Sequence, residues 1–276
     1  MISGSGVYRL TRFVPITIDP FTRPKAPGSQ AGQLIWTCHG LGISTDLGVT
    51  VAGPADPRTG FVVDIRQIDQ LVNRLAAPVF FEQVQAYYCA ARSIDPQAIV
   101  RLLSLVWQRI EGPLGGMLAA LDIRLGHCCR LSIHQKEAMM YYLTRWFEFS
   151  AAHTLWNRSL SEAQNHALFG ICANPNGHGH NYRLEITLRI AADSDPDMVA
   201  IERIIRQQVV DVLDHKNLNL DVPFFADVIP TMEQIARFAW ESLEGRLSGA
   251  QLDCIKVWES ERSSCAFYGP GRCVDN

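Results

Sequence analysis

The 276-residue chain has no uninterrupted apolar run approaching the roughly 18 residues that a membrane-crossing helix requires. Its first residues, Met1 to Thr11, lack the basic start and apolar core of a secretory signal. Together these absences predict a cytoplasmic protein without a membrane partner. It also lacks any run of like charge: 25 Lys and Arg face 28 Asp and Glu, for a formal net charge of -3. A nucleic-acid partner is therefore not expected, and a small soluble substrate is. With no secretory signal, the eight cysteines read as free thiols and not as a disulfide framework. A composition 47% hydrophobic and 19% charged is that of an ordinary globular chain, long enough for one large or two moderate domains.

What is present is concentrated between Cys172 and Tyr182. The stretch Cys-Ala-Asn-Pro-Asn-Gly-His-Gly-His-Asn-Tyr places His178 and His180 two residues apart. Apolar Tyr182, Leu184, Ile186, Leu188 and Ile190 then alternate with polar neighbours, so both histidines project from the buried face of a strand. Upstream, His153 continues a second alternation after Phe147, Phe149 and Ala151. Two strands thus bring three imidazoles to one point, a donor set suited to zinc with a fourth position open. Gly177 and Gly179 flank the pair where larger side chains are expected to crowd an ion.

The second half of the chain repeats the pattern of the first. At an offset of 139, His178-Gly179 falls on His39-Gly40 and the strand Tyr182 to Ile190 on Ile43 to Val51. At an offset of 133, Trp240 to Gly245 falls on Trp107 to Gly112. Each copy reads as two strands, two helices and final strands, ββααββ, with opening strands Tyr8 to Ile18 and Ile43 to Val51, then Tyr141 to His153 and Asn181 to Ile190. Ile65, Ile68, Leu71, Val72 and Leu75 share one helical face in the first copy; Ile201, Ile204, Ile205, Val209, Val212 and Leu213 do so in the second. Thr231 and Gln234 form a capping-box signature before Ile235, Phe238, Ala239 and Leu243. The predicted domains are 1–134 and 139–276, with the boundary in Ser132 to Ala138.

Cys172, six positions before His178, reads either as a fourth metal ligand, closing the site, or as a nearby base whose pKa positive charge lowers. The sequence Asp214-His215-Lys216-Asn217-Leu218-Asn219 follows an amphipathic helix, where the aspartate can hold the imidazole in one tautomer for proton transfer, or where the polar residues simply solvate the helix end. Glu259 ends a strand on the same face as Ile255 and Val257 and needs a partner, which adjacent N–H donors of a pterin or guanine ring would supply.

The ordered motifs from Leu168 to Tyr182 and from Leu213 to Asp227 resemble the 6-pyruvoyl-tetrahydropterin synthase family over about Tyr142 to Gly269. That resemblance implies an α+β protein of tandem tunnelling-fold (T-fold) units, each a four-stranded antiparallel sheet with two helices on one face. It implies a zinc-dependent lyase of tetrahydrobiopterin biosynthesis acting on a pterin triphosphate, 7,8-dihydroneopterin triphosphate, in a homo-oligomer with sites at unit interfaces. By the same resemblance His153, His178 and His180 hold zinc, Cys172 abstracts a proton, Asp214 and His215 assist, Glu259 anchors the pterin, and Thr231 helps bind the ring. Lys216 is a candidate contact for triphosphate.

A related family, the 6-carboxytetrahydropterin synthases of queuosine biosynthesis, has its cysteine nearer the His-x-His pair. The five residues between Cys172 and His178, and the Asp221 to Asp227 segment, look more like the pyruvoyl enzyme. Other readings are a pterin- or purine-binding protein without turnover, and a structural zinc protein with Cys172 as fourth ligand. Asp197 to Glu202 departs from the family's helix entry, predicting a local shift, whereas the first copy keeps Gly60 to Asp64. That first copy retains only His39 of the zinc set, has Leu41 in place of His180 and Phe80-Phe81-Glu82-Gln83 near the Asp214-His215 position, and lacks an evident Glu259, so its site is expected to be dead.

Overall fold

A computed structural model describes residues 6–19, 43–137 and 139–271. His39 and Leu41, on which the comparison of the two copies partly rests, lie outside them, as do Cys38 and Cys273. The chain divides into two compact units, Met1–Tyr142 and Leu143–Asn276. Ser132 to His134, expected as the start of a linker, belong to a strand.

The first unit contains β1 (Tyr8–Ile18), β2 (Ile43–Gly53), α1 (Ile65–Leu71), α2 (Ala77–Cys89), α3 (Pro96–Ile110), β3 (Leu118–Arg124) and β4 (Cys129–His134). Its sheet runs β1-β2-β3-β4, antiparallel throughout. Alternation explains the core: Val14, Ile16 and Ile18 on β1 and Leu47, Val49 and Val51 on β2 are all buried, and α3 packs on β3 and β4. Asp64 and Asp95 cap α1 and α3 by accepting from Arg66 N and Ala98 N. Arg12 on β1 grips Asp69 on α1 through two hydrogen bonds of 2.8 and 2.9 Å.

In the second unit, β5 (Met140–His153), α4 (Glu162–Phe169), β6 (His178–Ala191), α5 (Met198–Ile205), α6 (Asp211–Leu213), β7 (Lys216–Asn217), α7 (Leu218–Asp221), α8 (Met232–Leu243), β8 (Gln251–Ser260) and β9 (Ser263–Phe267) follow in order. The sheet order is β5-β6-β8-β9, and β7 adds a two-residue parallel pairing to β5. Leu184, Ile186, Leu188 and Ile190 on β6 and Ile255 and Val257 on β8 are fully buried on one face, over which α8 packs. Among the described residues the first unit follows ββααββ when α1 and α2 are taken as one helix running through a π turn, and the second follows it with α4 inserted between β5 and β6 and with β7 and α7 inserted before α8.

Both helical layers contain a five-residue π-helical turn at the corresponding place, Val72–Ala76 and Arg206–Val210. A π turn adds a residue and rotates the apolar face. The predicted faces therefore fail just there: Ala76 and Val210 are buried where Leu75 and Val212 are half-buried. Ile65, at the first turn of α1, is 44% exposed. The units diverge immediately after this turn. The first continues as α2, burying Phe80 and Phe81; the second stops at Leu213 and turns out into Asp214-His215. The expected shift at Asp197 is small, because Asp197 caps α5 through Val199 N and Ala200 N, much as Asp64 caps α1.

Two local expectations are corrected. Thr231 is the N-cap residue of α8, but its side chain makes no capping hydrogen bond, and buried Gln234 Oε1 has no partner. The capping box instead forms at Ser161 and Gln164, opening α4. Gly177 has φ +73°, and a Cβ there would lie 3.2 Å from the carbonyl oxygen of His153. Its requirement is thus close approach to the strand end, not space around an ion, and Gly179 meets only an ordinary 3.6 Å contact with Ala151 O. The six cysteines among the described residues are free. No helix among the described residues is long and apolar enough to cross a membrane.

Candidate functional site

The end of β5, the start of β6 and the end of β8 meet at one end of the second sheet. His153 is the last residue of β5 and is 1% exposed; His178 and His180 open β6 on its inward face. Their ligand atoms lie within 4.8 Å of one another, and no other such group of three His, Cys, Asp or Glu occurs among the described residues. His153 Nε2 and His178 Nε2 are 3.1 Å apart. Two nitrogens on one tetrahedral zinc would be separated by about 3.3 Å. Buried His180 Nε2 has no hydrogen-bond partner. An unsatisfied imidazole nitrogen within a three-histidine group at ligand spacing fits a metal ion, and three histidines suit zinc.

A carbonyl fixes the tautomer of His153. Its Nδ1 lies 2.8 Å from Pro230 O, and an oxygen without a proton can only accept, so Nδ1 carries the hydrogen and Nε2 the lone pair. Burial pushes the pKa of His153 down, with the neighbouring His178 acting in the same direction against the Pro230 hydrogen bond. Burial, then His180, also lowers that of His178. Both shifts favour the neutral form of these two imidazoles.

Glu259 reaches this cluster from β8. Its Oε1 lies 3.4 Å from Tyr182 Oη, 3.5 Å from His180 Nε2 and 3.6 Å from His153 Nε2. Cys172 sits in the short 3-10 turn Gly170–Ala173, with its carbonyl accepting from Leu155 N at 2.9 Å. It is not within the three-histidine ligand group. Burial pushes the Cys172 thiol upward, and the Glu259 carboxylate adds to this. That direction opposes the lowered thiol expected from sequence, because burial disfavours the thiolate and the nearest charge is the Glu259 carboxylate.

Asp214 and His215 are paired, Oδ2 to Nδ1 at 2.9 Å. Asp214 Oδ1 accepts from Ser150 N at 2.8 Å, and His215 N donates to Ser150 O at 2.6 Å, which clips the segment to β5. His215 adopts φ +57°, a strained left-handed conformation held by these bonds. Further along, Asn219 accepts from Thr154 N and donates to Thr154 O, at 2.8 and 3.0 Å, while Leu218 is buried. Much of the Asp214 to Asn219 motif therefore braces the strand that carries His153. Ser150, Ala151, Ala152, Gly179, His180, Asn181, His215, Lys216 and Asn217 line an open cleft of about 480 Å³. Thr231 adjoins Pro230, and its hydroxyl makes no hydrogen bond among the described residues.

The backbone hydrogen bond from Ser150 holds the Asp214 carboxyl below the usual range, with His215 contributing. Since the folded value lies below the unfolded one of about 3.9, this carboxylate stabilises the fold above that pH and ceases to as pH falls through the lowered value. Urea midpoints between neutral pH and about pH 3 should therefore decline more steeply for wild type than for Asp214→Asn. Equal slopes would remove the electrostatic part of this brace.

Pro230, Tyr182, Ser150 and Thr154 were not singled out by sequence reasoning. Three act through backbone atoms, which carry no residue signature; Tyr182 was visible as the next inward position after His180 but read as an apolar spacer.

An α+β unit with an inward three-histidine cluster at one sheet end defines a protein whose candidate site could hold a metal ion. The 6-pyruvoyl tetrahydropterin synthase family model matches residues 142–270. Human 6-pyruvoyl tetrahydrobiopterin synthase is 38% identical over 131 residues, covering 46% of this chain and 90% of that protein. The 6-carboxy-5,6,7,8-tetrahydropterin synthase of Aquifex aeolicus is 28% identical over 162 residues, 47% of this chain and 98% of that protein. The solved Caenorhabditis elegans 6-pyruvoyl tetrahydropterin synthase aligns with 47% of this chain and 96% of its own, at 33% identity and TM-score 0.44. The chain belongs to the 6-pyruvoyl tetrahydropterin synthase family through its second half. Residues 1–141 lie outside the family match.

Proposed function

We propose that the second unit converts 7,8-dihydroneopterin triphosphate to 6-pyruvoyl-tetrahydropterin, releasing triphosphate, and that the first unit is a non-catalytic copy. The observation that supports this most is the convergence of His153, His178 and His180 with Glu259 beside them. Those three imidazoles would hold zinc, which supplies Lewis-acid polarisation of substrate oxygens and so acidifies an adjacent C–H.

The chain's own groups supply the remainder. Cys172 Sγ takes the proton from the substrate side chain. The Asp214-His215 pair, whose imidazole lines the cleft, moves protons as the keto groups form, with Asp214 fixing the imidazole. Glu259 receives the N–H donors of the pterin ring, and the free hydroxyl of Thr231 contributes a further polar contact. Elimination of triphosphate and internal hydrogen shifts balance without an external redox partner. The first unit has a helix where the second turns out into Asp214-His215, which supports a single centre per chain.

Carboxytetrahydropterin formation is the second reading, carried by the Aquifex similarity; the higher identity to the human pyruvoyl enzyme favours the first. A third reading, pterin binding without turnover, leaves the Asp214-His215 pair its bracing of β5 but no proton to move. The sequence-level alternative of Cys172 as a fourth, structural ligand is disfavoured by its place outside the ligand group. Product analysis after incubation with dihydroneopterin triphosphate decides among these. The proposal expects pyruvoyl-tetrahydropterin and stoichiometric triphosphate; a carboxypterin, or no turnover by zinc-loaded protein, would overturn it.

A further inference from the structure

We propose that Tyr182 is a positioning residue whose hydroxyl holds the Glu259 carboxylate beside the three-histidine cluster. The inference rests on the reading of Glu259 as the group that receives the pterin ring.

Backbone register brings the two side chains together. Arg183 pairs with Trp258 and Leu184 with Val257, so Tyr182 and Glu259 are the next positions along the two antiparallel strands. Both point to the face of Leu184, Ile186, Ile255 and Val257. The Tyr182 ring has little freedom there: it is 1% exposed and stacks on Phe149 at 4.9 Å between centroids with a 14° interplanar angle. Its hydroxyl is consequently delivered to a fixed point, 3.4 Å from Glu259 Oε1 and 3.4 Å from His153 Nδ1.

Donor and acceptor accounting then assigns the phenolic proton. His153 Nδ1 carries a hydrogen directed to Pro230 O at 2.8 Å, so near Tyr182 it presents a donor, and the phenol oxygen can only accept from it. The phenolic hydrogen is left for Glu259. The other neighbours of Glu259 Oε1 are His153 Nε2 and His180 Nε2, at 3.6 and 3.5 Å. His153 Nε2 bears a lone pair in this tautomer, and both nitrogens do when reserved for a metal. Neither then offers a hydrogen to the carboxylate. Tyr182 is thus the hydroxyl donor that can hold Glu259 while the histidines remain neutral, and it leaves Oε2 free to accept from a ligand. The tyrosine also couples the two halves of the site, since one oxygen meets the hydrogen bonding of both His153 and Glu259.

The test is Tyr182→Phe, which keeps the stacked ring and removes the oxygen. Zinc content and melting temperature should match wild type, kcat should change less than threefold, and KM for dihydroneopterin triphosphate should rise about tenfold, equivalent to about 1.4 kcal/mol. Glu259→Gln should raise KM at least as much, and the double variant should lose little more than Glu259→Gln alone, because the tyrosine acts through the carboxylate. An unchanged KM in an active Tyr182→Phe, or fully additive losses in the double variant, would overturn the inference. If Tyr182→Phe loses zinc or melts early, Tyr182 has a structural role instead, and the inference is again overturned. Wild-type protein that neither turns over nor binds a pterin, followed by quenching of pterin fluorescence, would sink the underlying reading and be distinguished from these results.

Discussion

Cys172→Ala should lower kcat by roughly 10²- to 10⁴-fold, the range a positioned acid or base contributes, while zinc content stays at the wild-type level. Two observations set this expectation. Cys172 is outside the three-histidine ligand group, so its loss should not release the ion. It nevertheless lies within electrostatic reach of both Glu259 and Tyr182. Burial and Glu259 raise the thiol pKa, so the protein alone does not generate a thiolate; a cation at the histidine cluster is the element that would reverse the sign. Steady-state kinetics combined with metal analysis checks this. Activity equal to wild type would remove Cys172 from the mechanism, and loss of zinc would return it to the role of ligand.

The second large effect is expected of His178→Ala. Removing one of three imidazoles from a partly buried set should abolish stoichiometric zinc binding and reduce turnover to background. The fold should persist, because His178 stands at the first position of β6 and is half-buried, while the unit's core lies further along the strand at Leu184 to Ile190. Circular dichroism and metal content, measured on the same preparation, separate loss of metal from loss of fold. A variant that retains one tightly held ion and full activity would contradict the assignment.

Much of this was legible before the structure, for identifiable reasons. Period-two alternation marks β5 and β6 because one face of each is buried, and it places His153, His178 and His180 inward without further information. Glu259 was placed correctly by the same rule, continuing Ile255 and Val257 on β8. Capping was less legible: Thr231 has the residue types of a capping box, yet its backbone N–H donates to Ile229 O and its side-chain capping bond does not form. The π turns were invisible to a 3.6-residue pattern, which is why the apolar faces of both helical layers drift after Val72 and Val209. Gly177 was read as making room for an ion, whereas its positive φ and approach to His153 O explain it locally. Finally, the Asp214 to Asn219 motif read either as a proton-transfer pair or as a solvated helix end. Hydrogen bonds to Ser150 and Thr154 give it a second task, fixing the strand end on which His153 sits.

That double use bears on the first unit. Where the second breaks its helix after Leu213 to reach β5, the first continues α2 and buries Phe80 and Phe81. A site and its brace are both missing at that place, so the account assigns all zinc chemistry to residues 143–276. The most direct measurement is zinc per chain in purified, metal-saturated protein after removal of loosely bound ions. The account predicts one ion per chain in wild type and none in His178→Ala. Two ions per chain, or one that survives His178→Ala, would contradict it.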